Sequence, residues 1–179
     1  MDSFLSNLEL AQLGLKSYGQ RVMISKYARI YNPQFISIGD NVRIDDFCIL
    51  SGNITIGSNI HISAYVAIYG KMGVVLEDYT GISPKSVIYS AMDDFSGEYL
   101  IGPIHNESLT NVTGGAVILR RYSQIGASSV VFPNLIIGEG SIIGAYSLVN
   151  RSTDDWGMYW GIPAVKHKER KRNLLNLIK

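Results

Sequence analysis

The side chains able to move a proton gather in one polar stretch of the chain, residues 91–116. Two adjacent carboxylates, Asp93 and Asp94, open this stretch, and a third carboxylate, Glu98, and a histidine, His105, follow. Carboxylates and imidazoles are the groups that act as general bases or hold a cationic substrate. A polar segment of this length between regular segments is uncommon unless it is functional or disordered. Its apolar residues indicate that it packs on something, so we interpret it as an ordered excursion over a site.

The segments on either side of the excursion repeat with a period of six residues. After it, large aliphatic residues recur without a slip, at Leu119, Ile125, Val131, Ile137, Ile143 and Val149. Before it, the same frame runs from Ile38 to Val74 and, after a two-residue slip, from Leu76 to Ile88. Such a period is neither helical nor that of a simple strand. It predicts a parallel β-helix in which each unit is one short strand and one corner.

This architecture gives the excursion a rigid support. Three units form one triangular coil, so the regular segments supply roughly six coils. Aliphatic residues stack in ladders inside the prism, and hydrogen bonding from coil to coil leaves open edges only at the two ends. The flat outer faces favour packing against identical copies. The handedness of the coil does not follow from the period.

We expect a single domain over residues 1–179. Residues 1–20, which include a short helix, cap the first coil, because the end of a solenoid must be covered. Residues 21–153 form the β-helix, interrupted by the excursion at 91–116. Residues 154–179 hold a turn and then a basic, leucine-spaced segment that predicts a short amphipathic C-terminal helix.

Composition and charge exclude several classes of protein. The net charge is +1 with charges well mixed, so we expect neither nucleic acid nor a membrane surface as a partner. Charged residues make up only 17% of the chain, which suggests that homo-oligomerisation covers part of the surface. The single cysteine, Cys48, excludes an internal disulfide and a cysteine zinc site. No leader opens the chain and no apolar run approaches the ~18 residues of a membrane span, so we expect a soluble, cytoplasmic protein.

The six-residue frame, its interruption and its ending resemble the hexapeptide-repeat acyltransferases, whose β-helices are left-handed. The resemblance covers Ile24 to about Lys168. The sequences RIDDFCILSG (Arg43 to Gly52) and GIPAVKHKERKR (Gly161 to Arg172) are similar to sugar acetyltransferases of polysaccharide biosynthesis, including those that modify galactosides and nucleotide-linked aminosugars. The resemblance implies an all-β, left-handed parallel β-helix, a homotrimer as the functional unit, and acetyl-CoA as the acyl donor, without a metal.

In such enzymes the pantetheine arm of the donor follows the coil axis in a groove between neighbouring prisms. The matching residues here are Gly126 and Ala127 and, one coil later, Gly144 and Ala145. Glycine permits close approach of a ligand to the backbone, but it also suits the corner geometry of the repeat, and both explanations stay open. The family's adenine-side turn and its phosphate contacts match Gly161, Pro163, Lys166, Lys168 and Arg170.

The resemblance also implies where a catalytic base should lie. Family members that acetylate hydroxyl groups carry a histidine early in the excursion, and Asp93 or Asp94 stands there in this chain. A carboxylate is a poor base for an alcohol but can hold or deprotonate an ammonium group, which favours N-acetylation. His105 from a neighbouring subunit is a second candidate base. Some aminosugar members of the family are thought to need no protein base, and that alternative stays open. The candidates for contact with the sugar are His61, Tyr89 and Glu98.

The sequence therefore predicts an acetyl-CoA-dependent transfer of an acetyl group to a sugar, to the amino group of a nucleotide-linked aminosugar in surface polysaccharide biosynthesis. The alternatives are O-acetylation of a galactoside or glycan hydroxyl, and a non-catalytic β-helix scaffold. A zinc enzyme of the β-helical carbonic anhydrase type needs three suitably spaced histidines. His61, His105 and His167 lack that spacing, which excludes this class.

Overall fold

The computed structural model describes residues 3–178 and is a left-handed parallel β-helix with three faces. The six-residue frame is confirmed, because every aliphatic residue that it assigns to the interior from Ile38 to Val149 is at most 3% exposed. The register agrees with it. Ile44 pairs with Ile62, Ile62 with Ile82, and Ile125 with Ile143 on successive coils. Full burial of such a side chain contributes about 1.5–3 kcal/mol, so the stacked ladders are the main support of the fold.

Three sheets of parallel strands form the faces of the prism. Two long strands, Ile49–Ile56 and Ala67–Leu76, bend around one corner of the prism, so each belongs to two faces. Their C-terminal halves belong to what we call the first face, and their N-terminal halves belong to the third face. The other strands of the first face are Ser17–Tyr18, Ile36–Ile38, Val117–Leu119 and Leu135–Ile137. The second face contains Val22–Ile24, Val42–Ile44, Ile60–Ile62, Gly81–Ile82, Gln124–Ile125, Ile142–Ile143 and Gly157–Gly161. The third face adds Arg29–Tyr31, Val87–Tyr89, Val130–Val131 and Leu148–Val149.

The corners of the prism use left-handed backbone conformations and small buried side chains. One corner repeats a positive φ on successive coils, at Asn41, Asn59, Tyr79, Tyr122, Gly140 and Trp156. Asparagine and glycine adopt this conformation readily, and the tyrosines and the tryptophan are held in it by the coils around them. Beneath another corner, Cys48, Ser86 and Ser129 are fully buried, in agreement with the predicted position for small residues.

A short helix covers the first coil, as predicted. It spans Asn7–Gln12 and begins with a capping box, in which Ser6 and Glu9 satisfy each other's backbone N–H groups. Leu10 on this helix is buried against the interior residues of the β-helix. None of the helices within residues 3–178 is long and apolar enough to cross a membrane.

The excursion leaves the third face as an antiparallel stem. Ala91–Asp93 pairs with Val112–Gly114, and a 3₁₀ turn, Glu107–Leu109, lies in the loop beyond the stem. The buried Ser90 fixes the base of the stem, since its Oγ donates to the Tyr69 carbonyl (3.0 Å) and accepts from Met72 N (2.8 Å). The apolar side chains of the loop were expected to pack on another surface, but little within residues 3–178 covers them. They are exposed, at Phe95, Tyr99, Leu100, Ile101, Ile104 and Leu109.

The C-terminal segment differs from the prediction of an amphipathic helix. Ala164–Glu169 is a strand that pairs antiparallel with Gly157–Gly161, and a 3₁₀ turn, Asn173–Asn176, follows it. A helix of this length is marginal on its own, and pairing with an existing strand satisfies the backbone better. A further 3₁₀ turn, Pro33–Phe35, precedes the strand Ile36–Ile38.

Candidate active site

A cavity of about 710 Å³ lies between the third face and the excursion. This volume is typical of small-molecule sites. Three of the predicted site residues, Asp93, His105 and Tyr89, line it. The excursion therefore covers a cavity, and polar residues of the stem, of the loop and of the neighbouring prism strands line it.

The structure separates the two adjacent aspartates. Successive side chains of an extended strand point to opposite sides, so Asp93 lines the cavity whereas Asp94 turns into the loop. Asp94 Oδ1 accepts from Ser96 N (2.7 Å) and its Oδ2 accepts from Asn111 Nδ2 (2.9 Å). These hydrogen bonds, those from Ser96 first, lower the pKa of Asp94. The geometry thus gives Asp94 a role in closing the loop and leaves Asp93 as the carboxylate of this pair that lines the cavity.

Two predicted sugar contacts lie outside the cavity. Glu98 is exposed on the loop, where its backbone N donates to Ser96 Oγ (3.2 Å). His61 lies on the second face, with its Nε2 2.7 Å from Asp45 Oδ2. Burial raises the pKa of Asp45, but hydrogen bonds and charge from Arg43 and His61 outweigh it, so the pKa is lowered overall. Neither Glu98 nor His61 lines the cavity of the single chain, and their predicted contact with the sugar stays a prediction.

The predicted cofactor strip occupies one corner of the prism, where the two explanations for its glycines can be compared. A Cβ atom on Gly126 would lie 2.6 Å from the Ala145 nitrogen and from the Ile143 carbonyl oxygen. Backbone crowding of this kind makes glycine necessary at the corner itself. Serine hydroxyls bond the neighbouring carbonyls, with Ser86 Oγ donating to Gly126 O (2.9 Å) and Ser129 Oγ to Gly144 O (2.9 Å). The outer side of this corner is then formed by small residues, Ala127 and the exposed Ala145.

The predicted phosphate contacts lie on the C-terminal hairpin, which turns at Gly161 and Pro163. Lys166 is exposed, and hydrogen bonding to Glu169 (Nζ to Oε1, 2.7 Å) is the main cause of its raised pKa. Lys168 is exposed and forms no salt bridge with any residue from 3 to 178.

Arg170, the third predicted phosphate contact among the basic residues, bonds the coil corners with its guanidinium. Its Nη1 donates to the carbonyls of Tyr122 (2.8 Å) and Gly140 (2.9 Å), and burial lowers its pKa. The guanidinium also lies over the Trp156 ring, 5.9 Å from its centroid. Arg170 therefore fixes the C-terminal strand to the coil corners, and the structure does not support its predicted contact with a CoA phosphate.

Several cavity residues were missed in the sequence, among them Tyr69, Lys71 and Glu107. Tyr69 pairs in register with Tyr89, one coil later, and their rings stack with centroids 5.3 Å apart and planes 10° from parallel. The two-residue slip between these coils hides the pairing in the period of six. Counting one coil plus the slip back from Tyr89 would have identified Tyr69. Within residues 3–178 no three histidine, cysteine, aspartate or glutamate side chains converge as a metal site.

The fold is that of the left-handed β-helical acyltransferases, and comparisons with known proteins agree. The family model for the bacterial transferase hexapeptide (six repeats) matches residues 35–70. The chain is 40% identical, over 98% of its length and 93% of the relative's, to the dTDP-4-amino-4,6-dideoxy-D-glucose acyltransferase of Escherichia coli. It is 52% identical to AntD, an N-acyltransferase from Bacillus cereus solved in complex with dTDP and 3-hydroxybutyryl-CoA; that superposition has a TM-score of 0.96 and covers 99% of this chain and 95% of that one.

A more distant relative matches a short segment only. The dTDP-3-amino-3,6-dideoxy-alpha-D-galactopyranose 3-N-acetyltransferase of Aneurinibacillus thermoaerophilus is 40% identical over 50 residues, which are 28% of this chain. The full-length similarities decide the assignment. The protein belongs to the hexapeptide-repeat transferase family, and the relatives that match it over nearly the full length are acyltransferases.

Proposed function

We propose that the protein transfers an acyl group from acyl-CoA to the amino group of a dTDP-linked dideoxyaminosugar. The observation that carries this proposal is Asp93, a carboxylate that faces the cavity from the stem of the excursion. A carboxylate attracts an ammonium group and orients the amine derived from it, whereas it is poorly suited to activate a hydroxyl. The E. coli relative and AntD, named as acyltransferases of aminosugars or as N-acyltransferases, support the same acceptor.

The reaction is a displacement at the thioester carbonyl. The amine nitrogen, free of its extra proton, forms a bond to the carbonyl carbon, and the carbon–sulfur bond breaks. The nitrogen loses one proton, which ends on the departing thiolate or in water, so the products are an amide and CoA. In this chain Asp93 orients the amine, and His105, which lines the same cavity, is the second group able to accept a proton. AntD variants altered at a serine or at an aspartate have been solved with dTDP and CoA.

The donor is bound, in this proposal, along the corner formed by Ala127 and Ala145, with its phosphates near Lys166 and Lys168 on the hairpin. Small residues at this corner give a smooth strip that the pantetheine arm can follow. Acetyl-CoA is the predicted donor. AntD was solved with 3-hydroxybutyryl-CoA, so a longer acyl group is the second donor to test.

A homotrimer is the proposed functional unit. The loop of the excursion presents apolar side chains that are 66% (Phe95), 51% (Ile101) and 87% (Ile104) exposed in one chain. Contiguous exposed apolar residues of this kind mark an interaction surface. A neighbouring copy that covers them also closes the cavity against water. Mass determination in solution tests this assembly, since a stable monomer would contradict it. We further place the reaction in surface polysaccharide biosynthesis in the cytoplasm, where nucleotide sugars and acyl-CoA are available.

The function is tested by CoA release from acetyl-CoA and from 3-hydroxybutyryl-CoA. The acceptors are dTDP-4-amino-4,6-dideoxyglucose, its 4-hydroxy counterpart, and a simple galactoside. We expect release with the amino compound only, and with at least one of the two donors. Release with the hydroxyl compounds alone would favour O-acylation, and no release with any acceptor would favour a scaffold.

A further inference from the structure

A cluster of charged side chains lies on the second face, outside the cavity, and the reaction as described does not use it. Asp45 Oδ1 accepts from Arg43 Nε (2.6 Å), and Asp45 Oδ2 lies 2.7 Å from His61 Nε2. The pKa of Asp45 is lowered, so this carboxylate is ionised at neutral pH and His61 Nε2 must donate to it. Such a partner fixes the orientation of an imidazole ring and leaves its other nitrogen, Nδ1, for a further contact. Within residues 3–178 no hydrogen bond to Nδ1 is formed, and the His61 side chain is 53% exposed.

The cluster lies in line with the path proposed for the donor, at the end away from the hairpin. Five residues stand above one another at the corner that follows the second face, each with its backbone N bonded to the strand of the next coil: Gly144, Gly126, Ser83, Ser63 and Asp45. The two glycines directly precede the alanines that form the proposed path of the pantetheine arm. Toward the N-terminus the side chains in this line stay small until Asp45, to which the His61 ring is bonded. The imidazole therefore lies across the end of the line.

The coil of Ser83 is the level at which the acyl group must be transferred. Its next strand, Val87–Tyr89, leads directly into the stem strand Ala91–Asp93. In the proposed function Asp93 orients the amine, so the thioester carbonyl has to come to the level of this coil. The same holds in a cyclic trimer whose axis follows the prisms, because rotation about that axis keeps each coil at its own height.

An acyl group that reacts at this level extends toward His61. The arm of the donor comes from the hairpin, on the C-terminal side, and in a thioester the acyl chain continues the line of the arm beyond the sulfur. Three bonds of extended chain span about 3.8 Å, and the next coil lies about 4.7–4.9 Å away. An acetyl group therefore ends short of the coil of His61 and Ser63, whereas the third and fourth carbons of a butyryl group reach it.

The chemistry of the cluster suits a hydroxyl group better than a hydrocarbon. Nδ1 of a neutral imidazole accepts a hydrogen bond and that of a charged imidazole donates one, and a hydroxyl group can meet either. An unsubstituted chain would take water away from the ring and from Asp45 and give no hydrogen bond in return. This cost rises for chains longer than four carbons, which have to pass the ion pair of Asp45 and Arg43.

We propose that His61, held by Asp45, forms the end of the donor's acyl subsite and selects a short acyl group that carries a hydroxyl on its third carbon. This inference rests on the proposed function, because it assigns the acyl end of the donor in that reaction. His61 contacts the acyl group but takes no part in bond making, and Asp45 is a positioning residue that acts through His61. The sequence predicts a sugar contact for the same histidine, and donor and acceptor kinetics distinguish the two roles.

A comparison of acetyl-CoA, butyryl-CoA and 3-hydroxybutyryl-CoA, with dTDP-4-amino-4,6-dideoxyglucose as acceptor, tests the subsite. We expect kcat/KM from CoA release to be higher for the hydroxylated than for the plain butyryl donor, by the roughly 2- to 10-fold that one hydrogen bond gives. His61→Phe keeps a flat ring without its nitrogens and should abolish this preference. Asp45→Asn should reduce it, whereas loss of a merely structural ion pair would lower the melting temperature and leave the preference unchanged. Met23→Ala is the matched control, because Met23 is exposed on the same outer row of the second face, two coils beyond His61.

A folded His61→Phe protein that keeps the preference overturns the proposal, and so does a wild-type protein that shows none. An equal loss in Met23→Ala overturns it as well, and a higher acceptor KM with an unchanged donor preference in His61→Phe assigns this histidine to the sugar instead. If His61→Phe does not fold, His61→Leu lacks the ring nitrogens in the same way and carries the same expectation. Calorimetric titration with both butyryl donors, without acceptor, separates the two proposals. A preference in binding without any CoA release refutes the function alone, whereas CoA release without a preference refutes the subsite alone.

Discussion

Replacing Asp93 by asparagine separates the two adjacent aspartates most directly. The substitution keeps the shape and removes the charge that faces the cavity. Asp93 makes no side-chain hydrogen bond to any residue between 3 and 178, so the stability of the protein should not change. A hydrogen bond to a charged group is worth about 1.5–3 kcal/mol and a neutral one about 0.5–1.5 kcal/mol. The difference, about 1–1.5 kcal/mol, corresponds to a loss of roughly tenfold in kcat/KM.

Asp94→Asn is the matched control for this prediction. Here the new amide replaces a carboxylate oxygen that accepts from Asn111 Nδ2 (2.9 Å), so two donors face each other and the loop loosens. We expect faster proteolysis within the excursion and a lower melting temperature, with kcat recovered at low temperature and saturating acceptor. CoA release and limited proteolysis of both variants check the pair of predictions. Full activity of Asp93→Asn, together with loss of activity in an Asp94→Asn protein whose excursion remains protected, would refute the reasoning.

Three further substitutions or reagents test the prism itself. Arg170→Met leaves the carbonyls of Tyr122 and Gly140 without this donor, so it should lower the free energy of unfolding, measured in urea, by about 1–3 kcal/mol. Arg172→Met is its control. It loses only the contact with the Trp156 ring and should change the free energy of unfolding little. Gly126→Ala places a Cβ atom 2.6 Å from backbone atoms of Ala145 and Ile143, which must move. The free energy of unfolding in urea should therefore fall by about 1–3 kcal/mol. An unchanged value would contradict the crowding described for this corner. Cys48 is buried, and burial raises the pKa of its thiol to about 11, so a thiol reagent at pH 8 should modify it only after unfolding. Rapid modification of the folded protein would contradict that burial.

The prism could be predicted from the sequence because its period is local. Each interior residue, such as Leu119 or Ile143, is identified by its six-residue spacing, and the excursion is identified by the loss of that spacing. The sequence could not predict that Asp93 lines the cavity whereas Asp94 bonds within the loop, since this difference depends on Asn111, which is distant in sequence. The prediction of a C-terminal helix was wrong because it, too, ignored a contact with another segment. The strand that replaces it depends on pairing with Gly157–Gly161, which a helical pattern of leucines does not reveal.

Tyr69 shows a different limit of the sequence. The two-residue slip between the coils of Tyr69 and Tyr89 breaks the visible period, although the coils themselves stay in register. The exposed residues Phe95 and Ile104 show a third limit of prediction from the sequence. A periodic pattern indicates which residues are buried within one chain, but it contains no information on what covers an apolar loop outside the prism.

The regular stacking of coils has a further consequence for the choice of donor. On the second face, three strand-to-strand steps separate Gly81–Ile82, the strand of the coil that leads into the excursion, from Gly157–Gly161 in the hairpin. Neighbouring strands lie about 4.7–4.9 Å apart, so the steps span roughly 14 Å. The number of coils thus sets the distance that a donor bound at the hairpin must span to reach the cavity. Adding or removing one coil would change that reach by a fixed amount and leave the excursion intact.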